Sequence, residues 1–166
     1  FKTVGGNIAG VTSFTEASGN CIAVKRIGQA GSCNVQGVVV RNQGILTILD
    51  AVISGGFAGA DGGGVYSQDG VLQISNSTIS GNTAANVGGG IANLGFSIAA
   101  SATIINSSVV DNNANFAAGI QNQGAALVLT NCTIANNEAT GADPSGGSGG
   151  LDNVAANFNT TAALVN

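Results

Sequence analysis

The sequence predicts an all-β fold, a parallel β-helix (β-solenoid) of about five coils of 25–31 residues. Three observations predict it. Two short sequence patterns alternate along the chain. Their equivalent positions hold like residues, whether aliphatic, small or Asn. The composition is also that of a stacked turn rather than of an ordinary domain: 27 Gly, one Pro and only 7% charged residues, where roughly 25% is usual.

The elements follow in order. Residues 1–35 do not join the repeat cleanly and read as an irregular N-terminal coil or cap, as expected of the end of a repeat array. The segment holds Lys2, Lys25 and Arg26, and also Cys21 and Cys33. A disulfide between those two would close a short loop and suit an exported protein. The alternative is two separate buried thiols. With no His in the chain, a Cys/His zinc site is excluded.

Residues 36–166 carry the repeats as one continuous domain. The first pattern appears as "VVRNQG" (39–44), "GVYSQDG" (64–70), "GIANLG" (90–95), "GIQNQG" (119–124) and "GLDN" (150–153). It aligns Val40, Val65, Ile91, Ile120 and Leu151 in an aliphatic column, and Asn42, Ser67, Asn93, Asn122 and Asn153 in a polar one. The second pattern appears as "LTILDAVISGG" (46–56), "LQISNSTISGN" (72–82), "ATIINSSVVDN" (102–112) and "LVLTNCTIANN" (127–137). Here Ile48, Ile74, Ile104 and Leu129 share a column, as do Ile53, Ile79, Val109 and Ile134. Asp50, Asn76, Asn106 and Asn131 form another, followed by the small residues Ala51, Ser77, Ser107 and Cys132. "TTAALVN" (160–166) repeats the start of this unit, with Leu164 in the Ile48 column and Asn166 in the Asn column.

Helix is a poor reading of these units. They are short, rich in β-branched residues, and alternate with a period of two until each Asn. Propeller blades need about 40 residues each, more than these repeats provide. In a parallel β-helix, equivalent residues stack about 4.8 Å apart. The aliphatics then form a continuous dry core. Asn tolerates left-handed backbone geometry at a corner, and its amide can bond the copies above and below as a ladder. The structural ladder residues are therefore Asp50, Asn76, Asn106 and Asn131, and separately Asn42, Asn93, Asn122 and Asn153.

"GGGVYS", "GGGIAN" and "AAGIQN", alternating with "ISGN", "VVDN" and "IANN", resemble the Gly-Gly-Ala-Ile and Phe-x-x-Asn repeats of polymorphic outer-membrane proteins. Similar repeats occur in large secreted bacterial β-helix proteins. The resemblance spans about 36–166, with Ile or Val standing where that family has Phe. It implies a right-handed solenoid at an extracellular or cell-surface location. Such solenoids serve as adhesins, fibres and sugar-cleaving enzymes, so the resemblance is specific for fold rather than for function.

Composition excludes several functions. The net charge is −4, and no basic residue follows Arg41, so no basic face exists to neutralise phosphates and no nucleic acid is expected as partner. No apolar run of about 18 residues is present, and no membrane insertion is expected. The chain has no Met, which suits a processed mature form or a fragment.

Catalytic candidates are sparse. Cleavage of a glycosidic bond needs two carboxyls about 5–9.5 Å apart, on the same or adjacent coils. Asp50 stacks on Asn76, Asp111 lies between Gly81 and Asn136, and Asp152 follows Gln121 and Ala92, so none of these columns pairs two acids. Asp61 and Asp69, near Tyr66, are the best remaining pair, and a solvated loop is the plainer reading of them. Arg41 aligns beside Tyr66 and could stack on it. No residue is put forward as catalytic, metal-binding or cofactor-binding, and no cofactor is expected.

The expectation is a non-enzymatic extracellular structural or adhesive β-solenoid. Its partners are further copies of itself, stacked head to tail into fibres, or a host or surface glycan. The alternative is a polysaccharide-cleaving enzyme or sugar-binding module on the same fold. Asn76, Asn106, Asn131 and Asn159 begin legal N-glycosylation sequons. The stacking accounts for the first three without a sugar, which leaves Asn159 as the one sequon that it does not explain.

Overall fold

The computed structural model describes residues 33–36, 40–97, 100–141, 147–155 and 160–165. Among them there is no helix, and every strand is parallel to its neighbours. β1 (Cys33–Gln36) precedes the first full turn, which is β2 (Val40–Asn42), β3 (Ile45–Leu49), β4 (Ala51–Ser54) and β5 (Phe57–Ala58). The second turn is β6 (Val65–Gln68), β7 (Val71–Ser75), β8 (Thr78–Ser80) and β9 (Thr83–Val87). The third is β10 (Ile91–Leu94), β11 (Ala100–Ile105), β12 (Ser108–Val110) and β13 (Asn113–Phe116). The fourth is β14 (Ile120–Gln123), β15 (Ala125–Thr130), β16 (Thr133–Ala135) and β17 (Glu138–Ala139). β18 (Leu151–Val154) and β19 (Thr161–Val165) begin a fifth.

The fold is thus a four-sided parallel β-solenoid. Its sheets run β2-β6-β10-β14-β18 on side A, β3-β7-β11-β15-β19 on side B, β1-β4-β8-β12-β16 on side C and β5-β9-β13-β17 on side D. The number of turns is corrected from about five to about four. The fifth copy of the first pattern is real, and among the described residues two of its four sides carry a strand. Strand β1 also starts inside the segment expected to be irregular, pairing Cys33 with Ala51 and Val35 with Ile53.

Two corners never vary. The B-to-C connection takes seven residues in every turn, as from Val71 to Thr78 and from Ser101 to Ser108. The C-to-D connection takes five, as from Thr78 to Thr83 and from Ser108 to Asn113. Each uses one left-handed residue. At B-to-C it is Asp50, Asn76, Asn106 or Asn131, with φ between 48° and 51°. At C-to-D it is Gly55, Gly81, Asp111 or Asn136. These residue types enter the left-handed region at low cost, so sequence alone sets the corner. All length variation falls at A-to-B and D-to-A. From Ile91 to Ser101 is ten residues, whereas from Ile120 to Ala126 is six.

The core is a bundle of aliphatic columns. Ile48, Ile74, Ile104 and Leu129 point inward from side B, Ile53, Ile79 and Val109 from side C, and Val40, Val65, Ile91 and Ile120 from side A, all buried. Burying each such side chain contributes about 1.5–3 kcal/mol. Side D contributes Ala84 and Ala114, which form a narrow second cluster with Ala118, and the partly buried Ala58 and Ala139 pack against it.

Candidate functional site

Loops of variable length on a repeated scaffold are where binding is built. Both variable corners flank side A, so its outer face is the lateral surface to consider. Its outward column is Arg41, Tyr66, Ala92, Gln121 and Asp152, of which Ala92 and Gln121 are buried, so the face is open only around Arg41 and Tyr66 and at Asp152. Arg41, the one basic side chain among the described residues, lies with its guanidinium 4.6 Å from the centre of the Tyr66 ring, a cation–π distance. The Tyr66 hydroxyl donates to Gln68 Oε1 at 2.8 Å.

Asp61 and Asp69 act on this ring electrostatically, and each is held by the next turn. Asp61 Oδ1 accepts from Asn86 Nδ2 at 2.8 Å and from the Val87 N–H at 3.4 Å. Asp69 Oδ1 accepts the N–H groups of Phe96 and Ser97 at 2.7 and 2.9 Å. Both carboxylates therefore hold connections in place. The structure brings Asp61, Asp69, Arg41 and Tyr66 into one electrostatic neighbourhood. Burial raises the Tyr66 phenol above its ordinary value of 10.0, Asp61 and Asp69 add to the rise, and Arg41 opposes it. The folded state thus holds this proton more tightly. Its contribution to stability is present below the unfolded value and lost as pH climbs through the folded one. Tyr66 is the only tyrosine, so absorbance titration reads it alone. The midpoint is expected above pH 10, higher in Arg41→Ala and lower in Asp61→Asn.

The ladder residues divide into exposed and buried sets. Asn76, Asn106 and Asn131 lie on the exposed B-to-C corner. Asn76 donates to Asp50 at 3.2 Å, Asn106 to Asn76 at 3.4 Å and Asn131 to Asn106 at 2.8 Å. On side A, Asn42 and Asn93 are buried. Asn93 donates to Asn122, and Asn122 to Asn153, both at 2.7 Å. Asn42 instead meets Ser67, at 3.0 Å. A serine is too short to continue the ladder, and Asn93 Oδ1 is left buried without a partner. Ser67→Asn is expected to complete the row and raise stability by about 1 kcal/mol. A urea midpoint unchanged or lowered in that variant would count against this account.

Sequence reasoning missed a third ladder at the C-to-D corner. Asn82 and Asn112 are buried, with Asn137 above them at the rim. Asn82 Nδ2 donates to Asn112 Oδ1, and Asn112 Nδ2 to Asn137 Oδ1, both at 2.9 Å. The signal was present: "NSTISGN", "NSSVVDN" and "NCTIANN" each begin and end with Asn. Cys21, Asn159 and Asn166 lie outside the described residues, as does the Cys33 side chain, so the Cys21–Cys33 pairing falls there too.

The second candidate is the C-terminal end of the described solenoid. Sides C and D stop at β16 and β17, one layer below β18 and β19. The core columns surface there. Leu164, in the Ile48 column, is 68% exposed. With Leu129, Cys132 and Ile134 it lines an open cleft of about 230 Å³. Cys132 is half-buried and makes no disulfide among the described residues, with its thiol 3.2 Å from the Ile104 carbonyl oxygen. It takes the place that Ser77 and Ser107 hold in the turns below.

Comparison with family models, with curated proteins and with solved structures finds no match in any of the three.

Proposed function

We propose that this chain is a non-enzymatic extracellular structural or adhesive β-solenoid that associates with itself head to tail into fibres. The exposed core at the C-terminal end carries this reading. Leu164 at 68% exposure and the cleft beside Ile134 belong to interior columns that no further layer covers among the described residues. The strand edges of β16 and β17 carry no further pairing among the described residues. Such edges favour strand addition, and a head-to-tail contact that does not close grows a filament. The extracellular or cell-surface placement rests on the resemblance of the repeats to those of polymorphic outer-membrane and secreted bacterial β-helix proteins. Electron microscopy and sedimentation over a concentration series test the proposal. Filaments or concentration-dependent oligomers are expected. Monodisperse monomers at every concentration would rule it out.

The stack of Arg41 on Tyr66 favours a second reading, in which side A contacts a host or surface glycan or cleaves an acidic polysaccharide. The guanidinium would supply the positive charge for a sugar carboxylate, and Asp61 with Asp69 the acids. Binding and activity screens against uronic-acid polysaccharides test this reading. Signal that persists in Tyr66→Ala, Asp61→Ala and Asp69→Ala would remove the site.

A further inference from the structure

The buried Asn row on side A is interrupted at Ser67, and the interruption has a defined chemistry. Where the row holds Asn, each Nδ2 donates twice into the next turn: to that turn's residue in the row, and to the carbonyl oxygen of one residue on its side B. Asn42 Nδ2 meets Ser67 Oγ at 3.0 Å and the Val71 oxygen at 3.1 Å. Asn93 Nδ2 meets Asn122 Oδ1 at 2.7 Å and the Ala126 oxygen at 3.4 Å. Asn122 Nδ2 meets Asn153 Oδ1 at 2.7 Å and the Thr161 oxygen at 3.5 Å. Val71, Ser101, Ala126 and Thr161 share one column. The two acceptors that correspond to Ser67 are therefore Asn93 Oδ1 and the Ser101 carbonyl oxygen, and Ser67 has no amide to give them. We propose that a single water molecule is bound there, in the place of the missing NH2 group.

The hydrogen bonds close around that molecule. Ser67 Oγ accepts from Asn42 Nδ2 and keeps a proton of its own to give. The water accepts that proton and donates its own two, one to Asn93 Oδ1 and one to the Ser101 oxygen. Three bonds are what a buried water typically makes. Ser67 and Asn93 are both fully buried, so bulk solvent does not reach Asn93 Oδ1, which has no protein partner. Rotating the Asn93 amide by half a turn gives no relief. It would set an oxygen against Asn122 Oδ1 and the Ala126 oxygen, both of which Nδ2 now meets. Room follows from the row itself. Strand pairing holds the turns about 4.8 Å apart whichever residue stands there. A hydroxyl is smaller than the carboxamide that Asn42, Asn93 and Asn122 carry. The partners are uncharged and two of the three are acceptors, which suits a small neutral donor.

The site is independent of both readings of the function. A high-resolution crystal structure of the full chain tests it. One ordered water is expected at about 2.7–3.2 Å from Ser67 Oγ, Asn93 Oδ1 and the Ser101 oxygen. In Ser67→Asn the introduced amide is expected to take its place. A second measurement works in solution and compares two variants by urea unfolding. Ser67→Ala keeps the space and two of the three hydrogen bonds of the water. Ser67→Val fills the space with methyl groups and leaves Asn93 Oδ1 dry, at the cost of an unsatisfied buried acceptor. With a bound water, Ser67→Val is expected to have the lower urea midpoint. A dry gap would give the opposite order, because filling an empty space with methyl groups stabilises. That opposite order would overturn the proposal. So would a crystal structure with no water between the three groups, or with a protein donor bonded to Asn93 Oδ1.

Discussion

Asn112→Ala is expected to lower the unfolding free energy by about 3 kcal/mol or more, because two buried groups lose their partners together. Asn112 Oδ1 accepts the Asn82 N–H at 3.0 Å, and Asn112 Nδ2 donates to the Ile79 carbonyl oxygen at 3.0 Å. Neither group can reach water, since Asn112 is buried between two turns. Leaving each unsatisfied costs about 1–3 kcal/mol. Urea unfolding measures the loss. The control is Asn106→Gly, on the exposed ladder at φ 48°. Glycine adopts that geometry without penalty, and a loss of no more than about 1 kcal/mol is expected from its one exposed hydrogen bond on each side. Equal losses in the two variants would refute the distinction between a buried and an exposed ladder.

Gly90→Ala is expected to cost about 3 kcal/mol for a different reason, the close approach of one turn to the next. A Cβ at Gly90 would lie 2.7 Å from the Gly119 carbonyl oxygen, 2.7 Å from Val109 Cγ1 and 3.0 Å from Asn112 Nδ2. Two of these are backbone or ladder atoms with nowhere to move, so the layers must separate locally. Forced overpacking costs about 1–3 kcal/mol before the disturbed hydrogen bonds are counted. Gly81→Ala is the informative comparison. Its Cβ would meet nothing within 4 Å, and only its φ of 61° opposes the change. That penalty is about 1–2 kcal/mol. Thermal unfolding should rank Gly90→Ala well below Gly81→Ala, and the opposite order would show that turn spacing does not depend on the Gly90 column.

Particular residues show how much was legible. The Ile48, Ile74, Ile104 and Leu129 column emerges from alignment alone and is the column the strands pair in. The stacking of Arg41 beside Tyr66 was readable because adjacent turns put equivalent residues in contact. The third ladder was not read, although its letters were there. Asn76 and Asn82 have the same chemistry and both recur in each unit. Only the closing of the turn puts Asn82 inside, where its amide bonds the Ile53 carbonyl oxygen at 3.1 Å, and leaves Asn76 outside. The roles of Asp61 and Asp69 were equally hidden. Their partners, Asn86, Val87, Phe96 and Ser97, come from the following turn through the two corners whose length varies.

The sequence by itself determined the parallel repeat, the identity of the inward columns and the two invariant corners. These depend on period-two alternation, and on which residues accept a left-handed backbone. Both are local properties that repeat with the turn. Only the tertiary structure decided the burial of one Asn row against another, and which turn supplies the partners of Asp61 and Asp69. Those depend on how each turn closes and on which residues the next turn lays against it. Both are contacts between turns joined by connections of unequal length, and no single repeat contains them.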